Sequence, residues 1–124
     1  MLTVLPIQSK DEQKELCLKC GVEYDIEAFA YRADDGDFIG ICQFCFEGDV
    51  GYIKNLAYAP SMDDTEAMII MLRATMSFMH RCGLSTSELY PNCMPENLRN
   101  MSGYVKNEMG VYTVDLKKFY GHCH

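Results

Sequence analysis

Positive charge is scarce in this sequence: 11 lysines and arginines stand against 18 aspartates and glutamates, a formal charge of −7. Such a chain repels a nucleic-acid backbone or an anionic bilayer on average, so neither is an expected partner, whereas basic partners and neutral small molecules are. Long apolar runs are missing too. The most apolar stretch, residues 68–79, is too short to span a bilayer and carries Arg73. No basic stretch leads into an apolar run near Met1, so no secretory leader is expected and the expected compartment is the cytoplasm. Repeats, linkers, blocks of like charge, a glycine-rich phosphate loop and a basic aromatic patch are also absent. What is present is 48% apolar and 23% charged over 124 residues, the composition of one globular domain (1–124) able to bury a core. Seven cysteines, an odd number in apolar contexts, read as reduced thiols and not as a disulfide framework.

Residues 2–7 alternate weakly, as a strand does. Ser9 then takes the N-cap position of a short helix, with Glu12 three residues on, Leu16 as apolar anchor and Gly21 as stop. Three strand-like runs, 28–33, 37–46 and 52–59, are divided by Asp34-Asp35-Gly36 and Glu47-Gly48-Asp49, which predicts an antiparallel meander. Between 63 and 82 the period becomes helical, with Ile69, Leu72, Met76 and Met79 forming a core stripe before Gly83. A short strand at 87–90, a short helix at 94–101 with Pro95 in its first turn, and a hairpin of 104–107 with 111–116 complete the order. Strands and helices mix without strict alternation. The expected class is therefore α+β: a twisted, mixed, largely antiparallel sheet of about seven strands with one long and two short helices.

The segment GYIKNLAYAP (51–60) runs into the long helix, and Asn92 and the pair Gly103-Tyr104 follow later. Together they resemble the GNAT acyltransferase family, in which an apolar strand ends near a proline, an asparagine follows the fifth strand and Gly-Phe opens the sixth. The resemblance covers almost the whole chain, with one helix fewer between the first strands. It implies acyl-CoA-dependent N-acyl transfer, with acetyl-CoA or another acyl-CoA as donor and a small-molecule amine or basic peptide amine as acceptor. A homodimer is a further expectation. By resemblance the acyl-CoA contacts fall on Leu56 and Tyr58, on Asp63, Asp64, Thr65 and Glu66, and on Asn92.

Two departures from the family pattern carry chemistry. The family cradles pyrophosphate on glycine amides at the start of the long helix, and residues 63–68 here hold three carboxylates and no glycine. Like charges about 6 Å apart repel by roughly 3 kcal/mol at an effective dielectric near 20, less once salt screens them. The same acids suit a helix start with no ligand, through capping and the macrodipole. The family's frequent glutamate slot falls on Lys54 and its tyrosine slot on Arg99. Lysine is a poor base unless its pKa is strongly lowered, and arginine is always protonated. Tyr52, Tyr58 and Tyr90 could substitute for these groups, although in a chain with eight tyrosines packing is the plainer reading of each. These departures predict weak acyl-CoA binding and diminished catalysis, the alternative being a non-catalytic binding or dimerisation module on the same scaffold.

Cys17-x-x-Cys20 and Cys42-x-x-Cys45 have the ligand types for a four-thiolate zinc site. Cys42 and Cys45 lie in one predicted strand, however, where residues three apart face opposite ways, so no metal is expected. His122, Cys123 and His124 form either a metal clip or a frayed tail.

Overall fold

A computed structural model describes residues 1–120; His122, Cys123 and His124 lie outside the described residues. The elements are β1 (Thr3–Pro6), α1 (Lys10–Lys19), β2 (Phe29–Asp35), β3 (Asp37–Glu47), β4 (Val50–Tyr58), α2 (Thr65–Arg81), β5 (Thr86–Leu89), α3 (Glu96–Met101), β6 (Val105–Lys106), β7 (Tyr112–Asp115) and α4 (Leu116–Tyr120). Local chemistry sets most of their ends. The Ser9 hydroxyl accepts the N–H of Glu12 to open α1, and Asp64 accepts that of Ala67 to open α2. Gly21 and Gly83, both at positive φ, follow the C-terminal ends of these helices.

Seven strands form one sheet in the order β1-β2-β3-β4-β5-β7-β6. Every pair is antiparallel except β4–β5. The fold class is the expected α+β sheet, with one more short helix than the sequence announces. Leu116, expected at the end of the last strand, instead begins α4, where the Asp115 carboxylate accepts the N–H of Lys118 and turns the chain. Strand alternation over so few residues cannot signal that cap.

The sheet has a helix layer on each face. On one side α1 covers a small cluster of Ile7, Leu16, Cys17, Ala30 and Ile41. On the other, α2 with α3 and α4 covers the main core, including Phe44, Ile53, Leu56, Leu72, Met76 and Met79. The stripe on α2 differs from the expected one by one residue. Ile69 is only partly buried, whereas Met68 and Met71 are fully buried beside Leu72, Met76 and Met79. A helix on a broad sheet buries an arc wider than a single line of contacts, and that arc is centred away from Ile69.

Two glycines let α2 approach closely. A Cβ on Gly40 of β3 would lie 2.6 Å from Met68 Sδ and 2.6 Å from the Ala57 carbonyl oxygen; one on Gly51 of β4 would lie 2.5 Å from Met79 Sδ. The two methionines thus fill the places of missing side chains, near opposite ends of the helix.

The expected cost of Gly40→Ala is about 1 to 3 kcal/mol by chemical denaturation, because a backbone oxygen blocks the new methyl; Gly51→Ala, which meets only a flexible thioether, costs less. Leu72→Ala and Met76→Ala lose about 2 to 5 kcal/mol each, and partly buried Ile69→Ala loses less than either.

Candidate functional site

β4 carries one residue more than β3 opposite it. Gln43 pairs with Asn55 and Phe44 with Ile53, leaving Lys54 without a cross-strand partner. The extra residue returns Leu56 to the face of Ile53, so both are fully buried in the α2 core although they are three apart. At the same level the other neighbour ends: β4 and β5 pair in parallel from Val50↔Thr86 to Ile53↔Leu89 and no further. Beyond this point the chain after β5 crosses the fork. Tyr90 N–H donates to the Ile53 carbonyl at 2.9 Å and Leu56 N–H to the Cys93 carbonyl at 2.7 Å.

Past the end of β5 lies a cavity of about 360 Å³ whose lining includes Tyr52, Glu88, Tyr90, Asn92, Arg99 and Tyr112. Glu88 is the register partner of Tyr52, and the Tyr52 and Tyr90 rings meet edge to face at 5.8 Å. Burial, the largest cause, pushes both phenols above their usual pKa, so each stays a neutral hydrogen-bond donor. The Arg99 guanidinium stacks over Tyr112 at 4.7 Å, and its Nε is buried with no partner among the described residues. Asn92 sits in the left-handed region at φ 55°. Cys93 is buried and its thiol is pushed up to about 11, which keeps it protonated and unreactive.

A second cavity, about 460 Å³, lies beside the first and shares Tyr90; it is lined also by Glu23, Asp25, Lys54 and Asn55. Its walls are set by a buried amide pair. Gln13 of α1 donates to Gln43 Oε1 of β3 at 2.8 Å, and Gln43 in turn donates to the Glu23 carbonyl at 2.8 Å and accepts the N–H of Asp25 at 3.3 Å. This clamp brings the Asp25 carboxylate to the Lys54 ammonium, which forms an ion pair with it and lies 5.3 Å from the Tyr90 ring centroid. The hydrogen bond between them is the largest cause of both shifts, holding Asp25 below and Lys54 above its ordinary pKa. Lys54 is therefore cationic at neutral pH.

The residues singled out by sequence do not form one cluster. Arg99 and Asn92 line the first cavity and Lys54 the second. Tyr58 stands near Asp63 and Asp64, whose charges add to burial in raising its pKa, and its hydroxyl is buried without a partner among the described residues. Asp64 is committed to capping α2, while Leu56 already spends its amide on Cys93. The CxxC pairs divide between layers: Cys17 belongs to the α1 cluster and Cys42 to the α2 core, on opposite faces of the sheet. Sequence reasoning passed over Glu88 and Asp25. Alternation in β5, with Ser87 and Leu89 inward, could have placed Glu88 on the outer face; Asp25 is placed only by the tertiary contact with Gln43.

No protein-family model matches the chain, and no curated protein does. Solved structures do. An IAA acetyltransferase from Bacillus cereus superposes with a TM-score of 0.68 at 19% identity, over 87% of this chain and 79% of that one. A Bacillus subtilis acetyltransferase in complex with CoA gives 0.64 at 18%, over 85% and 77%. The dodecameric spermidine N-acetyltransferase from Vibrio cholerae gives 0.65 at 13%, over 99% and 98%. The chain has the fold of the GNAT acetyltransferases, at the low identity of a divergent sequence.

The Lys54–Asp25 pair has a pH signature. Asp25, lowered on folding from 3.8, contributes stability above that value that is lost as pH falls through its folded pKa; Lys54, raised from 10.5, contributes below that value and loses it as pH rises further. Thermal unfolding of Asp25→Asn across pH is expected to show a lower melting temperature than the parent at neutral pH, with the gap closing at both extremes.

Proposed function

We propose that the protein is an acyltransferase-type protein that transfers an acyl group from a thioester of the acetyl-CoA class to an amine, at low efficiency. The observation that carries this reading is the fork: a single parallel pair, β4–β5, parts beside a cavity lined by a carboxylate, three tyrosines and a guanidinium with an Nε–H that has no partner among the described residues. When bound, the thioester supplies the activated acyl carbon. Glu88 is the group suited to take the proton from the attacking amine, directly or through water, as the C–N bond forms. Arg99 is suited to offset charge on sulfur as the C–S bond breaks, acting by electrostatics because it has no proton to give. A cationic amine or basic peptide amine agrees with the net charge of −7.

The donor's pyrophosphate end fits this chain poorly. Asp63, Asp64 and Glu66 surround the start of α2, and one of its free amides is already capped; no step is assigned there. The Leu56 amide is held by Cys93, so a donor pairing with β4 has to displace that bond. A homodimer belongs to the same proposal, supported by analogy with the oligomeric spermidine N-acetyltransferase; so does a cytoplasmic location. No described helix is long and apolar enough to cross a membrane.

Calorimetry with acetyl-CoA at fixed salt tests the reading. The parent is expected to bind near the weak end of the ~1 μM to 1 mM range common for such substrates. A variant carrying Asp63→Arg and Glu66→Gly, which spares the Asp64 cap, binds more tightly, and its advantage shrinks as salt rises. Glu88→Gln lowers turnover by about 10² or more without changing donor binding. Low-micromolar binding by the parent that the variant loses would show that the acids serve the ligand. Absence of binding by either folded protein would favour a non-catalytic binding or dimerisation module.

A further inference from the structure

We infer that Cys17 and Cys20, at the end of α1, form a chelating dithiol for one soft monovalent cation of the copper(I) class, held between the two sulfurs. The pair stands apart from the other CxxC, because Cys42 belongs to the core on the opposite face of the sheet. Cys17 and Cys20 instead pack against one and the same cluster, with Ile7, Ala30 and Ile41. Helical geometry reaches as far as Cys20, whose N–H donates to the Leu16 carbonyl at 3.0 Å. The Cys17 carbonyl accepts the N–H of Val22 at 3.0 Å, which holds the turn. Cys17 is fully buried and Cys20 partly exposed, so the dithiol is open to solvent on one side.

Spacing decides between the chemistries open to two thiols. Residues three apart on a helix hold their Cβ atoms about 5 to 6 Å apart. A disulfide needs about 3.5 to 4.5 Å, so oxidation has to tighten the last turn of α1. Two metal–sulfur bonds in line, each of the zinc–thiolate length of about 2.3 Å, span about 4.6 Å. Sulfurs leaning together from these Cβ atoms cover that span without moving the backbone. Ligand number then selects the ion. Structural zinc takes four ligands, and among the described residues no group of three or more His, Cys, Asp or Glu is placed to hold a metal. Copper(I) prefers soft thiolates, and two of them satisfy it. One such ion on two thiolates carries a net negative charge. Lys19 is the charged side chain that acts on the pair, and it favours the thiolate of Cys20; the sheet side of the site, Ile7, Ala30 and Ile41, is apolar. Burial, the largest cause, pushes both thiols up to about 11, so an arriving ion displaces two protons.

The test is anaerobic titration of the full-length, reduced protein with copper(I) in competition with bicinchoninate, a coloured chelator of that ion, with circular dichroism reporting the fold. Cys82→Ser and Cys123→Ser are made first, to remove the exposed thiol at the end of α2 and the thiol of the C-terminal segment from the competition. This protein is expected to take up one ion, with an apparent affinity that rises roughly 100-fold per pH unit around neutrality, as two displaced protons require. X-ray absorption at the copper edge is expected to show two sulfur neighbours and no nitrogen. Adding Cys17→Ser or Cys20→Ser weakens uptake by roughly 100-fold or more. Should Cys17→Ser fail to fold, Cys20→Ser, at the partly exposed position, carries the comparison. Uptake that survives Cys20→Ser in the folded protein, a rise of tenfold or less per pH unit, or nitrogen bound to copper would each overturn the inference. No acyl donor or amine enters the experiment, so its outcome is independent of the proposed acyl transfer.

Discussion

Lys54 has no partner across the ladder because β4 inserts one residue between the positions facing Phe44 and Gln43, and much of the functional end of the molecule follows from that insertion. The extra residue resets alternation so that Ile53 and Leu56 both turn into the core. It coincides with the last parallel pair, Ile53↔Leu89, where the strands part. It also lifts a charged side chain out of the pleat towards Asp25. A regular β4 would turn Leu56 to the α1 face and bury a different set of residues under α2.

The two cavities on either side of Tyr90 handle charge in opposite ways. In the first, Arg99 stacks on Tyr112 and keeps a buried N–H unspent among the described residues, and the same cavity is lined by a carboxylate from β5. In the second, the charges have found each other, and the pKa values of Asp25 and Lys54 have moved apart accordingly. The acids at the start of α2 belong to neither cavity. Asp64 performs the capping that helix physics asks of it, which explains the carboxylate without a ligand and weighs against an anionic one.

Legibility in the sequence followed the range of the signal. Elements built on local chemistry were readable: the Ser9 cap with Glu12 and the glycine-bearing turns after Asp35 and Glu47. The largely antiparallel sheet of about seven strands followed from the order of these elements, and the resemblance to the GNAT family was drawn from 51–60, Asn92 and Gly103-Tyr104. The rule that strand residues three apart oppose each other served for Cys42 and Cys45 and fails for Ile53 and Leu56, because nothing in YIKNL announces a bulge. Asp25 was invisible for a related reason. Its position is fixed by Gln43, a buried polar residue 18 positions away in the chain, through an amide network that no periodicity encodes.

The seating of Met68 over Gly40 and Met79 over Gly51 makes each pair a shared volume with one owner at a time. A side chain gained by the sheet must be surrendered by the helix, so the effect of a substitution at either position depends on its partner and the two are not additive. Sequence drift along α2 is thereby channelled: the exposed face can vary freely, whereas change at the two seats proceeds by compensating steps. The outline of the helix–sheet contact can persist in this way while identity to other proteins of the same fold falls to the levels seen here.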